Sequence, residues 1–398
     1  MSGAGRNRHN GTGRNGAGRS EAGRNGAGRN GAGRSEAGRN GAGRSEAGRN
    51  GAGRSEAGRS EAGRNGKSDR DRRRPDQIGR KEHPAKRTDQ RPPAVARPAR
   101  QVAQHSILKM GRIKGEWMEI RLPDQLVGAP LSRITPFLPL APKLVSKLLQ
   151  SRGILVQGPN LRVHLFPRED RDYPSDWMEL NILYEDEFTL VVYKPAGIEV
   201  HPSEKGQRRT LAHAVAAYYE MSGQDVRIRH IHRIDKDTTG PVLYAKNEFA
   251  HYQYDKAMRE KNIERVYLAL AEGQIEGERG TINRPIGQDR HHSTRRRVSE
   301  TGDPAITHFE VVERLRDHTL VRLRLETGRT HQIRVHLSSL NHPLAGDGMY
   351  GGKRGFISRQ ALHGERLIWN HPWTGEKQNV KATLPEDFND AINRLREE

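Results

Sequence analysis

Hydrophobic residues larger than alanine are missing from positions 11–66, where the chain repeats a five-residue unit, (Gly or Glu)-Ala-Gly-Arg-(Asn or Ser), with arginine at every fifth position from Arg14 to Arg64. A stretch this rich in glycine, with nothing to bury, cannot offset the entropy lost on folding, so disorder is predicted there. Residues 67–100 stay rich in Arg, Lys and Pro and continue the linker. The pattern changes near residue 105. Residues 117–122 alternate as a strand does, and Leu144, Val145, Leu148 and Leu149 fall at helical spacing within 143–150. Gly153 stops that helix, and short strands follow at 154–157 and 161–166. Together these make a small α/β unit. The polar, proline-containing stretch 170–176 reads as a boundary. Beyond it the pattern predicts strands at 188–193, 242–245, 266–271, 307–312, 320–325, 362–369 and 380–384. Helices are predicted at 211–219, 249–261, 330–340 and 387–396, with 273–287 rich in turns and 289–299 a basic loop. Strands in succession with few helices between them point to an α+β domain on a mostly antiparallel mixed sheet, not a doubly wound parallel one. The expected organisation is a disordered basic tail and linker over 1–104, a small α/β module over 105–170, and a catalytic domain over 176–398.

Charge sharpens this division. Of the formal net charge of +20, residues 1–100 carry +15, so the folded part is only mildly basic. Any phosphate-binding face must come from clustering. The tail reads equally as a polycationic arm that binds phosphates without sequence preference or as a linker with no role of its own. Cysteine is absent, which excludes disulfides, thiolate metal sites and thiol nucleophiles and fits a reducing cytoplasm. No run of 18 apolar residues exists, so no membrane span is expected, and the N-terminus lacks the apolar core of a secretory signal. Neither a phosphate-binding Gly-x-x-x-x-Gly-Lys-Ser/Thr loop nor a dinucleotide fingerprint occurs, so no nucleotide cofactor is supported.

The stretch His230-Ile231-His232-Arg233-Ile234-Asp235-Lys236-Asp237-Thr238-Thr239-Gly240 carries the candidate chemistry. Asp235 falls on the loop entering a strand, a usual position for reactive groups, with Arg233 two residues before it. A surface Asp–Arg pair in an exposed turn is the plain alternative. In Arg265-Val266-Tyr267-Leu268-Ala269-Leu270, Tyr267 and Ala269 share one strand face, where Tyr267 is either core or a stacking platform for an unstacked base. In Glu326-Thr327-Gly328-Arg329-Thr330-His331-Gln332-Ile333-Arg334, Gly328 permits a tight turn before a helix from which Arg334 can reach a carboxylate. A neighbouring cation favours the ionised form of a carboxylate, which dry surroundings disfavour. Arg295, Arg296 and Arg297 are candidate phosphate contacts or a solvated charge run. Residues 341–352 read as an irregular functional loop or a structural turn. Among rivals, His230-x-His232-x-x-Asp235 hints at a metal cluster, but Ile234 stands where the common spacing needs a carboxylate, and no metal is expected. Asp237 would be the second carboxylate of a glycosidase, with nothing else to support it. A non-catalytic RNA-binding or ribosome-assembly protein would not need Asp235 at all.

Eight collinear blocks then resemble the RluA-type family of RNA pseudouridine synthases. These are Tyr193-Lys194-Pro195-Ala196-Gly197 with His201-Pro202, residues 232–240, Arg265-x-Tyr267-x-Ala269 and Arg284-Pro285-Ile286-Gly287. Residues 327–337, residues 342–351, Gln360-Ala361-Leu362-His363 and His371-Pro372-Trp373-Thr374-Gly375-Glu376 complete them. The resemblance spans about 180–388. It implies the α+β fold of that family; separately, through residues 148–158, the unit over 105–170 resembles a degenerate αL RNA-binding module, with a packing extension of the main domain as the alternative. The family resemblance also implies an isomerase that converts uridine to pseudouridine by base flipping, with Asp235 as nucleophile. Arg233 would displace the flipped uridine, Tyr267 would stack on it and Arg334 would pair with Asp235. Arg329, His331, Gln332 and Arg295–Arg297 are candidates for RNA contact, although His331, like His336, also reads as structural. No cofactor is required. Ribosomal RNA of the large subunit is the expected partner, with transfer RNA the other candidate, and a cytoplasmic monomer is expected. The departures are Ile234, Thr239 and Arg265 where the family commonly has Leu, Ser and Lys, and Asp303 where it more often has Lys.

Overall fold

The computed structural model describes residues 111–397; the repeat tail, the linker and the first residues of the expected module lie outside them. Three antiparallel sheets and one hairpin follow along the chain. The first sheet has the order β1-β2-β4-β3, from Arg112–Lys114 (β1), Trp117–Arg121 (β2), Ile154–Gln157 (β3) and Asn160–His164 (β4). Helices Leu131–Ile134 (α1) and Pro142–Gln150 (α2) lie between β2 and β3. Alternation in β2 and β4 turns Met118, Ile120, Leu161 and Val163 inward, as their period of two requires.

The second sheet, β5-β6-β7, is built from Asn181–Glu185 (β5), Thr189–Lys194 (β6) and Gly240–Ala245 (β7). β6 and β7 are buried on both faces, which explains their unbroken apolar runs. Val191 and Leu243 face a cluster shared with the first sheet, with Phe249 of helix Glu248–Arg259 (α4) and with Trp369 and Trp373. Leu190, Val192, Val242 and Tyr244 face a second cluster that takes in Val215 and Tyr219 of helix Leu211–Met221 (α3). Both helices start at sequence-encoded caps. Thr210 and His213 form a capping box, and the Asn247 side chain accepts the Ala250 N–H at 2.8 Å.

The third sheet is six-stranded, in the order β15-β14-β8-β13-β12-β9. It comprises Glu264–Glu272 (β8), Arg279–Asn283 (β9), Ile306–Arg314 (β12), His318–Leu325 (β13), Leu362–Asn370 (β14) and Lys377–Lys381 (β15). Helix Glu386–Glu397 (α6) covers Leu270 and Leu320 on one face through Phe388 and Ile392. The other face carries Tyr267, Ala269, Val321 and Leu323 into the cluster shared with the second sheet.

Several stretches depart from expectation: β1 and β5 are strands that the pattern does not predict, and the last strand is Lys377–Lys381 instead of 380–384. The turn-rich stretch 273–287 contains β9 and Ile286–Gln288 (β10), and the basic loop closes with Arg296–Val298 (β11), the partner of β10 in the hairpin. In β9 only Ile282 is buried, because the strand lies at the sheet edge, so its sequence shows no alternation. The helix expected over 330–340 is the shorter Gln332–Ser338 (α5), because His331 before it adopts φ 58°.

A close backbone approach brings the second and third sheets together. Gly240 has φ +131°, and a Cβ there would meet the Gly364 backbone at 2.6–2.7 Å. The Gly364 N–H donates to the Thr239 carbonyl at 2.7 Å. This contact holds the loop before β7 against β14.

Candidate active site

That loop carries Asp235, and its backbone is held from several sides. The Ile231 N–H donates to the Leu243 carbonyl at 2.8 Å, and Ile234 is buried in the second cluster. The Thr238 N–H closes a turn on the Asp235 carbonyl at 3.0 Å. Beneath it, Lys194 at the end of β6 is fully buried, and its Nζ donates to the carbonyls of Pro195, Ile198 and Lys236 at 2.7, 2.7 and 2.6 Å. Burial lowers its pKa to about 7, against the raising effect of Asp237 and Asp235. Arg359 Nη1 donates to the Asp237 carbonyl at 3.1 Å. The Asp235 carboxylate is thereby presented from a fixed backbone.

The partner of that carboxylate comes from α5. Arg334 donates from Nη1 to Asp235 Oδ2 at 3.1 Å, and from Nε and Nη2 to the two oxygens of Asp347 at 2.7 and 2.9 Å. Arg334 and Asp347 are both buried, so the guanidinium is a rigid bridge between an interior carboxylate and one that is part-exposed. Burial opposes the charge on Arg334, but the hydrogen bonds and charge of Asp347 and then of Asp235 raise its pKa. The Arg334 guanidinium also lies 4.9 Å from the centre of the Tyr350 ring, and the Tyr350 hydroxyl meets His331 Nδ1 at 2.8 Å. His331 Nε2 is 4.0 Å from Asp235 Oδ2. Its left-handed backbone turns the imidazole back towards the carboxylate.

Asp235, Tyr267, Arg265, Leu362, Arg334 and the turn 328–333 line one open cleft, with Arg233 exposed at its side. Tyr267 reaches it from the middle of β8. Gly328 is not in the left-handed region; it makes room, since a Cβ there would lie 2.6 Å from Arg265 Nη1. Arg329 faces the cleft, with Nε donating to the Pro304 carbonyl at 3.1 Å and Nη1 3.6 Å from Asp303. Gln332 is turned inward. Its oxygen accepts from Thr327 Oγ1 and the Arg329 N–H, and its nitrogen donates to the Ile306 carbonyl and Thr307 Oγ1. All four of its hydrogen-bonding positions are thus used inside the protein, and it holds the turn. Arg295 lies 5.4 Å from the Tyr350 ring, and the Arg296 N–H donates to the Tyr350 hydroxyl at 2.9 Å, so the β10–β11 hairpin borders the site, with Arg297 exposed on it.

Sequence reasoning missed Asp347 and Tyr350 as parts of the site. Both lie in the stretch read as an irregular loop, and no spacing shows that this loop meets α5. It also left Lys194 without a task. The rival metal reading loses its geometry. His232 is buried with Nε2 accepting the Leu243 N–H at 3.3 Å, and His230 stacks on His201 at 4.5 Å. Among the described residues no three His, Asp or Glu side chains gather to hold a metal.

A family model described as RNA pseudouridylate synthase matches residues 188–339. The RNA pseudouridine synthase YhcT of Bacillus subtilis, described as uncharacterized, is 46% identical over 240 residues, covering 59% of this chain and 78% of that protein. The chain belongs to the RluA-type family of RNA pseudouridine synthases. Ribosomal large subunit pseudouridine synthase D of Vibrio parahaemolyticus is 41% identical over 265 residues, covering 62% of this chain and 80% of that protein. The solved structure of human RNA pseudouridylate synthase domain containing 1 is 29% identical with a TM-score of 0.44, covering 54% of this chain and 86% of that one. As a pseudouridine synthase, this chain is an isomerase acting on RNA. The matched stretch runs from β6 to α5 and supplies Lys194, Asp235, Tyr267 and Arg334, while Asp347 and Tyr350 lie beyond its end. No helix among the described residues is long and apolar enough to cross a membrane.

Proposed function

We propose that this pseudouridine synthase isomerises a uridine of structured RNA, most of all in the large ribosomal subunit, with Asp235 as the nucleophile. The observation that carries the reading is the Asp235 carboxylate at a cleft, bridged through Arg334 to the buried Asp347. The target uridine leaves the stack at a cost of about a few kcal/mol. Arg233 takes the space it vacates, and Tyr267 stacks on the extruded base, an interaction worth about 1–3 kcal/mol. Asp235 promotes cleavage of the bond between N1 and the ribose. The uracil turns and rejoins through carbon 5, whose hydrogen is released to water. Arg329, His331 and the hairpin arginines Arg295, Arg296 and Arg297 hold the surrounding RNA, with Gln332 fixing the turn that presents Arg329. The large-subunit target follows relatives named ribosomal large subunit pseudouridine synthase D. The small module over 105–170 and the basic tail add non-specific RNA affinity to the catalytic domain over 176–398, and the enzyme works as a cytoplasmic monomer.

The test is tritium release from 5-tritiated ribosomal and transfer RNA with EDTA present, comparing the parent with Asp235→Asn. Release by the parent and none by the variant is the expected result. Tight binding without release from either would make this a non-catalytic RNA-binding protein.

A further inference from the structure

Only two arginines among the described residues are buried, Arg334 at 6% exposure and Arg265 at 8%. Arg334 is matched by two carboxylates. Arg265 has none. Its Nε is buried without a hydrogen-bond partner, and among the described residues its guanidinium makes no ion pair and no side-chain hydrogen bond. It lines the same cleft as Asp235 and Tyr267. On β8 it is two residues from Tyr267 and so points from the same sheet face. Gly328 leaves the space in which the guanidinium lies. The fold therefore largely covers this cation, with its Nε buried and no carboxylate within ion-pair distance, an arrangement that is unfavourable unless a partner arrives.

We infer that Arg265 is a substrate-binding residue whose guanidinium takes an oxygen of the bound nucleotide. The inference rests on the proposed uridine site and adds a contact to it. Two groups of a nucleotide offer that chemistry: a backbone phosphate beside the uridine, or a carbonyl of the uracil itself. Arg265 is already in place before the ligand binds, so it orients the nucleotide against Tyr267 and Asp235 without a rearrangement.

The experiment compares the parent with Arg265→Met and Arg265→Lys by thermal melting and by tritium release from 5-tritiated ribosomal RNA. Removing an unmatched buried charge raises the melting temperature of Arg265→Met, while turnover per folded molecule falls roughly 10- to 100-fold, the loss expected for one charged hydrogen bond. Arg265→Lys retains part of that turnover. Melting shifts with millimolar uridine 5′-monophosphate and with uridine then identify the oxygen. A parent shifted by the monophosphate alone assigns a phosphate, and one shifted equally by both assigns a uracil carbonyl. Turnover in Arg265→Met within twofold of the parent overturns the inference. So does a lowered melting temperature with turnover lost only in step with folded protein. An Arg265→Met protein that responds to both nucleotides as the parent does overturns it as well. The nucleotide shifts need no isomerisation, so absence of tritium release from the parent would count against the proposed reaction and not against this contact.

Discussion

Replacing Asp347 by Asn separates the two tasks of the Arg334 bridge. The substitution keeps the shape and one acceptor but removes the charge that two hydrogen bonds of 2.7 and 2.9 Å hold against a buried guanidinium. Breaking one partner of a buried ion pair costs about 3–5 kcal/mol. Asp235 stays within reach of Arg334 at 3.1 Å, which places this case at the lower end, about 3 kcal/mol. At roughly 2–4 °C per kcal/mol for a domain of this size, the melting temperature falls by roughly 6–12 °C. The catalytic consequence comes through Arg334, which is fixed by Asp347 on one side and meets Asp235 with Nη1 on the other. Freed from Asp347, the guanidinium moves towards Asp235 and water, and turnover falls roughly tenfold while RNA affinity is kept. The assay is calorimetry beside single-turnover tritium release at saturating enzyme. A double variant, Arg334→Met with Asp347→Leu, completes it: two apolar partners restore much of the stability, but turnover does not return. An Asp347→Asn protein that melts within about 2 °C of the parent and turns over at the parent rate would refute the bridge.

Other predictions follow from the same contacts. Gly240→Ala places a Cβ within 2.7 Å of the Gly364 backbone at a φ of +131°, so calorimetry should show a destabilisation of about 3 kcal/mol or more; parent stability would mean the two sheets separate freely there. Burial holds the imidazoles of His232 and His230 down to about 3 and about 4, against 6.5. Below pH 6.5 the unfolded chain therefore takes protons that the folded one refuses, and stability falls between pH 6.5 and about 3 by an amount on the order of a few kcal/mol. Urea midpoints at pH 7 and pH 5 measure this fall, and equal midpoints would contradict it. Deleting residues 1–100 removes 25 Lys and Arg. RNA affinity should weaken and lose part of its salt dependence while single-turnover chemistry persists; an unchanged salt slope would leave the tail without a role in binding.

The antiparallel α+β class was legible because its strands carry their own signal. The buried runs of β6 and β7 are continuous, and β2 and β4 alternate. Asp235, Arg233 and Tyr267 could be singled out because motif spacing is a property of one short stretch. What escaped depends on contacts between distant stretches. β9 was hidden because an edge strand with one buried residue has no period to read. Gly328 suggested a turn, whereas its neighbour across the cleft, Arg265, is what requires a missing Cβ. Gln332 looked like a free polar group until the chain placed four partners around it. Asp347 and Tyr350 gained their meaning only when β14, β8 and α5 converged, 99 residues separating Arg334 from Asp235. Sequence alone determined which groups were available and which strands would form, because both follow from local chemistry. The tertiary structure decided which cation meets which carboxylate and which is left unmatched, because burial and pairing belong to the packed chain.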